Sequence, residues 1–147
     1  MIRDAEARTE VIKEAETWLH TPYHHKGRVK GTQGGVDCAM LLAEVYAKCG
    51  VIKPLEDVEY PPDWMLHRGL ERYMEAVTDM CYEVPKPGTG DIVLYRVGRC
   101  FAHGGIVIRW PLIIHAFSRE RKVCYGEGDS GWLAGRDRHY FTPWRIG

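Results

Sequence analysis

Three stretches of the N-terminal half alternate apolar and polar positions with the period of an α-helix. The first predicts an amphipathic helix over residues 4–19, which Pro22 ends because proline disfavours helical conformation in the residue before it. The second predicts a short helix that begins at Cys38 and runs to about Cys49. The third predicts another amphipathic helix over residues 63–80.

The pattern changes after Asp91 to short β-branched and aromatic runs, which are typical of strands. Five such runs predict strands at residues 92–97, 105–109, 112–117, 122–125 and 139–141, and residues 131–135 predict one helical turn. Helices followed by strands predict an α+β fold, with N-terminal helices packed on a mostly antiparallel sheet of five or six strands. A chain of 147 residues without linker or repeat predicts one domain over residues 1–147.

The stretch Gly-Gly-Val-Asp-Cys at residues 34–38 places a cysteine in the first turn of the second helix. Asp37 is a good N-cap, since its carboxylate can accept hydrogen bonds from the unpaired N–H groups there. Those N–H groups and the positive end of the helix dipole favour a thiolate at Cys38. The charge of Asp37 acts in the opposite direction. Activation of Cys38 therefore requires a cationic partner, most simply a histidine from elsewhere in the chain.

Two of the seven histidines flank a predicted hairpin, His103 in Ala-His-Gly-Gly-Ile-Val-Ile and His115 in Ile-Ile-His-Ala. A turn centred on Arg109 places the two histidines directly opposite each other, and a shift of two residues leaves them diagonal neighbours. A shift of one residue puts them on opposite faces. Either of the first two registers predicts a relay in which Cys38 attacks, His103 takes its proton and His115 orients His103. The glycine pair after His103 indicates a close approach by another segment, here the cysteine helix.

The charge balance argues against several classes of function. Lys and Arg number 20 and Asp and Glu number 20, so no overall field favours nucleic acid or an anionic membrane. No apolar run approaches the roughly 20 residues of a membrane-spanning helix, and we expect no membrane insertion. The N-terminus lacks the apolar core of a secretory signal peptide, which predicts cytoplasmic synthesis and another delivery route for any exterior role.

Metal chemistry is not predicted by the sequence. The five cysteines are scattered singly, without the Cys-x-x-Cys pair of a structural zinc site or dithiol motif. Pro22 breaks the helical spacing that would bring His20 and His24 to one face, so a site built from these residues and His25 is not favoured. We expect neither a metal nor a cofactor. The glycine-rich loop of residues 24–36 either forms the wall of a binding groove or is a solvated connector.

These motifs, in this order, resemble those of the NlpC/P60 cysteine peptidases over nearly the whole chain. The segments that carry the resemblance are Trp18-Leu19-His20-Thr21-Pro22-Tyr23, Asp37-Cys38, Pro87-Gly88-Thr89-Gly90-Asp91-Ile92, His103-Gly104-Gly105-Ile106 and Ile114-His115-Ala116. The stretch from Tyr60 to Trp64 and the Trp- and Arg-rich ending are most similar to small members found in phage tails and gene-transfer particles.

The resemblance implies a papain-like fold and hydrolysis of peptide or isopeptide bonds in the stem peptides of bacterial peptidoglycan. It also implies phage tail proteins as partners and incorporation in a tail or virion. Cys38 would be the nucleophile, and His103 would be the general base and then the acid. His115 would orient His103, and the hydroxyl of Tyr23 would lie beside the nucleophile and help to hold the oxyanion.

The predicted substrate contacts are Asp37, Ala39, His24 and Gly104. Ala39 and Met40 stand where the family usually has serine and glycine, and His20 replaces a glycine of the groove motif. These departures concern the choice of substrate rather than the nucleophile. Two alternatives stay open: a non-catalytic binding or assembly module of the same fold, and a thiol amidase or acyltransferase that acts on another amide.

Overall fold

The computed structural model describes residues 4–55 and 66–144. In this part of the chain, the helices are α1 (Asp4–Glu16), α2 (Cys38–Lys48) and α3 (Leu66–Thr78). The strands are β1 (Arg28–Val29), β2 (Gly35–Val36), β3 (Tyr82–Val84), β4 (Ile92–Val97), β5 (Cys100–Arg109), β6 (Leu112–Phe117), β7 (Lys122–Glu127) and β8 (Arg138–Thr142). A 3₁₀ turn covers Gly131–Leu133. The strands of the main sheet follow the three helices, as predicted, while β1 and β2 lie between α1 and α2.

The main sheet has the strand order β3-β8-β4-β5-β6-β7, and every pairing within it is antiparallel. α2 and α3 pack on the face of β5 that carries Ile106, and α2 also contacts β6. A smaller apolar cluster around Tyr95 and Val107 covers the opposite face. α2 is buried along almost its whole length because it lies between the sheet and the other helices.

One predicted boundary in the N-terminal half is wrong, and the loop that follows carries unpredicted structure. α1 ends at Glu16 instead of residue 19, because the next turn tightens and Trp18 N–H donates to the Ala15 carbonyl at 3.0 Å. His20 then takes a positive φ of 72°, which lets the chain run alongside β7. The loop of residues 24–36 is not structureless, since β1 and β2 form a short hairpin within it.

Three strand predictions also need correction. β5 begins at Cys100 instead of residue 105, because its pairing with β4 continues past a bulge at Tyr95 and Arg96. β7 and β8 each extend one or two residues beyond the predicted ends. β3 was not predicted, although it pairs with β8 at the sheet edge. The predicted helix over residues 63–80 matches α3 from Leu66 to Thr78, and residues 63–65 lie outside the described residues, as do Tyr60 to Trp64.

An ion pair between Arg8 and the buried carboxylate of Asp91 links α1 to the turn before β4. Arg8 Nη1 donates to Asp91 Oδ1 at 2.8 Å and to the Thr89 carbonyl at 2.7 Å. The guanidinium also lies over the Trp144 ring, 4.6 Å from its centroid. The Asp91 side chain is only 3% exposed, so its charge depends on Arg8 and on the Gly88 N–H for compensation.

We therefore expect Arg8→Met to lower the free energy of unfolding by about 3 kcal/mol, since it leaves a buried carboxylate without its partner. Urea unfolding monitored by circular dichroism measures this change. Lys13→Met is the matched control, because Lys13 forms an exposed pair with Glu10 at 3.6 Å on the same helix. That control should change stability by less than about 0.5 kcal/mol. Equal losses in the two variants would contradict the role of the buried pair.

Candidate active site

Cys38 begins α2, and its position is fixed by the N-cap residue before it. Asp37 Oδ1 accepts a hydrogen bond from Met40 N–H at 2.8 Å, and Oδ2 accepts one from Lys26 N–H at 2.8 Å. The predicted capping role of Asp37 is therefore confirmed. The side chain of Asp37 is fully buried, and Cys38 is 1% exposed.

The sulfur of Cys38 lies against the backbone of β5 on both sides of His103. Its S–H donates to the Ala102 carbonyl at 3.5 Å, and the Gly104 N–H donates to the sulfur. The ladder between β5 and β6 runs from Ile106 to Arg109 on β5, so residues 102 and 104 lie beyond it. Their backbone groups are therefore available to the cysteine helix, as the glycine pair after His103 predicts.

Burial raises the pKa of the Cys38 thiol well above its ordinary value, and the charge of Asp37 raises it further. Hydrogen bonds from the Gly104 N–H, the Tyr23 hydroxyl and the Ala39 N–H lower this pKa, but to a smaller extent. The thiol is therefore protonated in this geometry, and its proton points to a carbonyl. A base that takes this proton is required before the sulfur can act as a nucleophile.

The two histidines meet where the neighbouring strands β5 and β6 lie side by side. His103 Nε2 and His115 Nδ1 are 2.9 Å apart, and the side chains are buried. The directly opposed register is wrong, because Ile106 pairs with Ile114 and this register extends to place His115 opposite Gly105. The histidines are therefore diagonal neighbours, which is the second of the registers that the sequence allows. The predicted contact between the two rings is confirmed.

Burial also controls the charge of the histidine pair. It lowers the pKa of His115 to about 4. The pKa of His103 is well below its ordinary value, first because of burial and then because of His115 and the Arg136 guanidinium. Both rings are therefore neutral near pH 7. A neutral His103 can accept a proton, as a general base must.

Aromatic side chains enclose the pair and limit the movement of the rings. Phe117 stacks on His115 with centroids 4.6 Å apart, and Trp132 lies edge-on to His103 at 6.0 Å. Gly126 on β7 is also required, because a Cβ there would lie 2.7 Å from His115 Nε2. Gly126 and Trp132 were not predicted from the sequence. Gly126 directly follows the predicted strand of residues 122–125, and a glycine at that position was the signal that could have indicated the close approach.

The structure brings some of the predicted residues to the sulfur. The Tyr23 hydroxyl and the backbone N–H groups of Gly104 and Ala39 donate to it. Ala39 is fully buried in α2, and its predicted contact with substrate stays a prediction, as do those of Asp37 and Gly104. His24 is exposed and lines a separate pocket of about 330 Å³ in the hairpin of β1 and β2. Its contact with substrate also stays a prediction.

Across residues 4–55 and 66–144, no three His, Cys, Asp or Glu side chains converge as metal ligands would. In the same residues, no helix has the length and apolar character needed to cross a membrane.

The α+β architecture is that of the NlpC/P60 papain-like fold, and solved structures with this fold match the chain. The predicted fold class is thus confirmed. The NlpC/p60 domain of the peptidoglycan hydrolase SagA is 21% identical, with a TM-score of 0.60 and coverage of 90% of this chain and 96% of that one.

Two structures from Mycobacterium tuberculosis are also similar. The peptidoglycan hydrolase RipB is 18% identical, with a TM-score of 0.69 over 99% of this chain and 70% of that chain. RipD, described as a non-catalytic NlpC/p60 domain protein adapted to peptidoglycan binding, is 15% identical, with a TM-score of 0.60 over 92% of this chain and 96% of that chain. No protein-family model and no curated protein matches the sequence.

Proposed function

We propose that the protein is a cysteine peptidase that hydrolyses peptide or isopeptide bonds in the stem peptides of bacterial peptidoglycan. One observation carries this proposal: the Cys38 sulfur lies on the backbone that flanks His103, whose ring is held by His115 at 2.9 Å. The fold supports the choice of substrate, because the similar structures include the peptidoglycan hydrolases SagA and RipB.

The contact between the histidines determines which nitrogen acts as the base. His103 Nε2 is bound to His115 Nδ1, so Nδ1 of His103 is left to take the thiol proton. For this, His103 carries its own proton on Nε2 and donates it to His115 Nδ1, and His115 carries its proton on Nε2. The resulting thiolate attacks the substrate carbonyl, while His115 stabilises the imidazolium of His103.

The tetrahedral intermediate places a negative charge on the former carbonyl oxygen. The Cys38 backbone N–H and the Tyr23 hydroxyl, which already reaches the sulfur, are the donors that hold this oxygen. His103 then gives its proton to the leaving amine, and the C–N bond breaks to give a thioester on Cys38. Water, deprotonated by His103, hydrolyses the thioester and releases the free acid and the thiol.

Digestion of purified peptidoglycan tests the proposal. The wild-type protein should release new amino groups, detected by an amine-reactive dye, and mass spectrometry of the fragments should identify the cut bond. Cys38→Ala serves as the comparator. The mass of the products also separates hydrolysis from the alternative thiol chemistry, since an acyltransferase would attach the acyl group to another amine.

A non-catalytic peptidoglycan-binding domain is the second candidate. It is favoured by the similarity to RipD, which is described as non-catalytic, and by the 1% exposure of Cys38. Co-sedimentation with insoluble peptidoglycan distinguishes the two. Binding by wild-type protein without any new amino groups would support the binding domain, and release of amines would exclude it.

Association with a phage tail belongs to the same proposal and rests on the sequence resemblance. Mass spectrometry of purified particles from a strain that carries the gene tests it. Recovery of the protein only in the soluble cell fraction would contradict the association.

His115 should matter through its effect on His103 rather than by contact with substrate. We expect His115→Ala to lower kcat by about 10³-fold, because the tautomer and ring plane of His103 are no longer fixed. His115→Asn keeps a polar acceptor near Nε2 of His103 and should recover part of this loss. Measurement of kcat and KM for both variants checks the prediction, which requires KM to change little. Equal activity of the alanine and asparagine variants would contradict an orienting role.

A further inference from the structure

The turn of residues 24–27 lies against the N-terminal end of α2. Gly27 N–H donates to the His24 carbonyl at 2.9 Å and closes the turn. Lys26 takes a positive φ of 64°, which is uncommon for a residue with a side chain. A Cβ on Gly27 would lie 2.6 Å from the Gly35 carbonyl oxygen, so the turn packs directly on β2. The conformation of the turn is therefore set by the strand that leads to Cys38.

The turn directs an imidazole and a backbone N–H at the carboxylate of Asp37. Lys26 N–H donates to Oδ2 at 2.8 Å, and His25 Nδ1 lies 3.6 Å from the same oxygen. This nitrogen is buried, whereas 34% of the His25 side chain is exposed, so the imidazole can exchange a proton with solvent. His24, the other histidine of the turn, donates from Nδ1 to the His25 carbonyl at 3.0 Å. The proposed mechanism assigns no role to His25.

The charge of Asp37 acts against ionisation of the nucleophile. Burial and then this charge raise the pKa of the Cys38 thiol. The N–H groups of Lys26 and Met40 bind the carboxylate but bring no net positive charge to it. An imidazolium at His25 would bring a full positive charge to Asp37 Oδ2, and this charge would offset the field of the carboxylate at the sulfur.

The other charged side chains on the elements packed here have different contacts. Arg28 on β1 donates to Glu44 on α2, with Nε 2.6 Å from Oε1, so these two charges pair with each other. Lys26 is exposed, and it reaches Asp37 through its backbone N–H. Among the described residues, His25 is therefore the titratable side chain within ion-pair distance of the Asp37 carboxylate.

We propose that His25 is a positioning residue for the nucleophile: its imidazolium pairs with Asp37 and offsets the negative charge beside the Cys38 sulfur. The inference rests on the proposed function, because it concerns the reactivity of the thiol that attacks the substrate. Imidazoles change charge between about pH 5 and 8. The effect of His25 on the thiol should therefore be largest at the acidic end of this range and should disappear at the alkaline end.

Alkylation of Cys38 by iodoacetamide tests the inference without turnover. Rates are measured by mass spectrometry of the Cys38 peptide between about pH 5.5 and 9. His25→Gln keeps a polar side chain without the charge. Wild type should react about three- to tenfold faster than this variant at the acidic end, and the two rates should converge at the alkaline end. His25→Lys, whose charge persists to about pH 10, should keep the faster rate throughout.

His139→Gln is the matched control, since His139 forms a histidine–carboxylate pair with Glu83 at 2.8 Å on β8. It should leave the alkylation profile unchanged. A ratio of wild-type to His25→Gln rates that is the same at every pH would indicate a structural effect and overturn the inference. A His25→Lys profile that matches His25→Gln would also overturn it. Amine release from peptidoglycan by wild type is measured in parallel. Its absence would count against the proposed function alone, because alkylation does not require turnover.

Discussion

Replacement of Cys38 by alanine should reduce the release of amino groups from peptidoglycan by at least about 10⁴-fold. The reason is that the proposed mechanism passes through a thioester on this sulfur, and the thioester cannot form without it. The methyl group of alanine fits the space that the thiol occupies, so the fold should persist. The rate of amine release and the thermal midpoint, measured on the same preparation, check both parts of the prediction.

Cys49→Ala is the matched control for the loss of a thiol. Cys49 caps the other end of α2, and its sulfur donates to the Glu10 carbonyl at 3.6 Å. Its replacement should leave the rate of amine release unchanged. Equal activity in wild type and Cys38→Ala would show that the hydrolysis does not depend on this thiol, and the proposed enzyme class would then be wrong.

His103→Ala should lower kcat by about 10⁴-fold and should also change how the Cys38 thiol reacts with alkylating agents. With His103 present, the base can take the thiol proton, so alkylation should rise with pH as neutral His103 becomes available. Without it, the reaction depends on direct ionisation of a thiol whose pKa burial and Asp37 raise above the ordinary 9.0. The pH profile should therefore move to higher pH in the variant.

His139→Ala controls for the loss of an imidazole. His139 lies on β8, is exposed, and pairs with Glu83 at 2.8 Å. Its replacement should leave both kcat and the alkylation profile unchanged. Iodoacetamide labelling followed by mass spectrometry of the Cys38 peptide gives the rates. Superimposable profiles for wild type and His103→Ala would contradict the base role of His103.

The parts of the fold that the sequence predicted well have clear local signals. α2 was predicted at both ends because Asp37 supplies a cap and Gly50 takes a positive φ of 74° after the last turn. β4 and β6 have the predicted bounds, since turn residues flank each apolar run. The start of β5 was missed because Gly104 and Gly105 interrupt its apolar pattern.

Features that depend on tertiary contacts could not be predicted in this way. The hairpin register differs from the one centred on Arg109, because the turn falls at Trp110 and Pro111 and a bulge lies between Val107 and Arg109. β3 is short and two of its three residues are exposed, so its pairing with β8 gives it its strand conformation. No residue type marks such pairings in a single sequence.

The same distinction between local signals and tertiary contacts applies to the residues of the candidate site. Cys38, His103 and His115 were predicted because their side chains carry the chemistry and their spacing on helix and strands is readable. The Ala102 carbonyl, which accepts the hydrogen bond from the thiol, was not predicted, since every residue has a backbone carbonyl. Trp132 was also missed, because it reaches the histidine pair only through the fold of the chain after β7.

The burial of α2 has a consequence for how this protein could acquire new specificities. From Cys38 to Ala43 every side chain of the helix is buried, so substitutions there disturb the packing that positions the sulfur. The hairpin of β1 and β2 and the loop between β6 and β7 carry exposed side chains. Directed evolution toward other amides should therefore enrich substitutions in these two segments and leave the helix sequence largely intact.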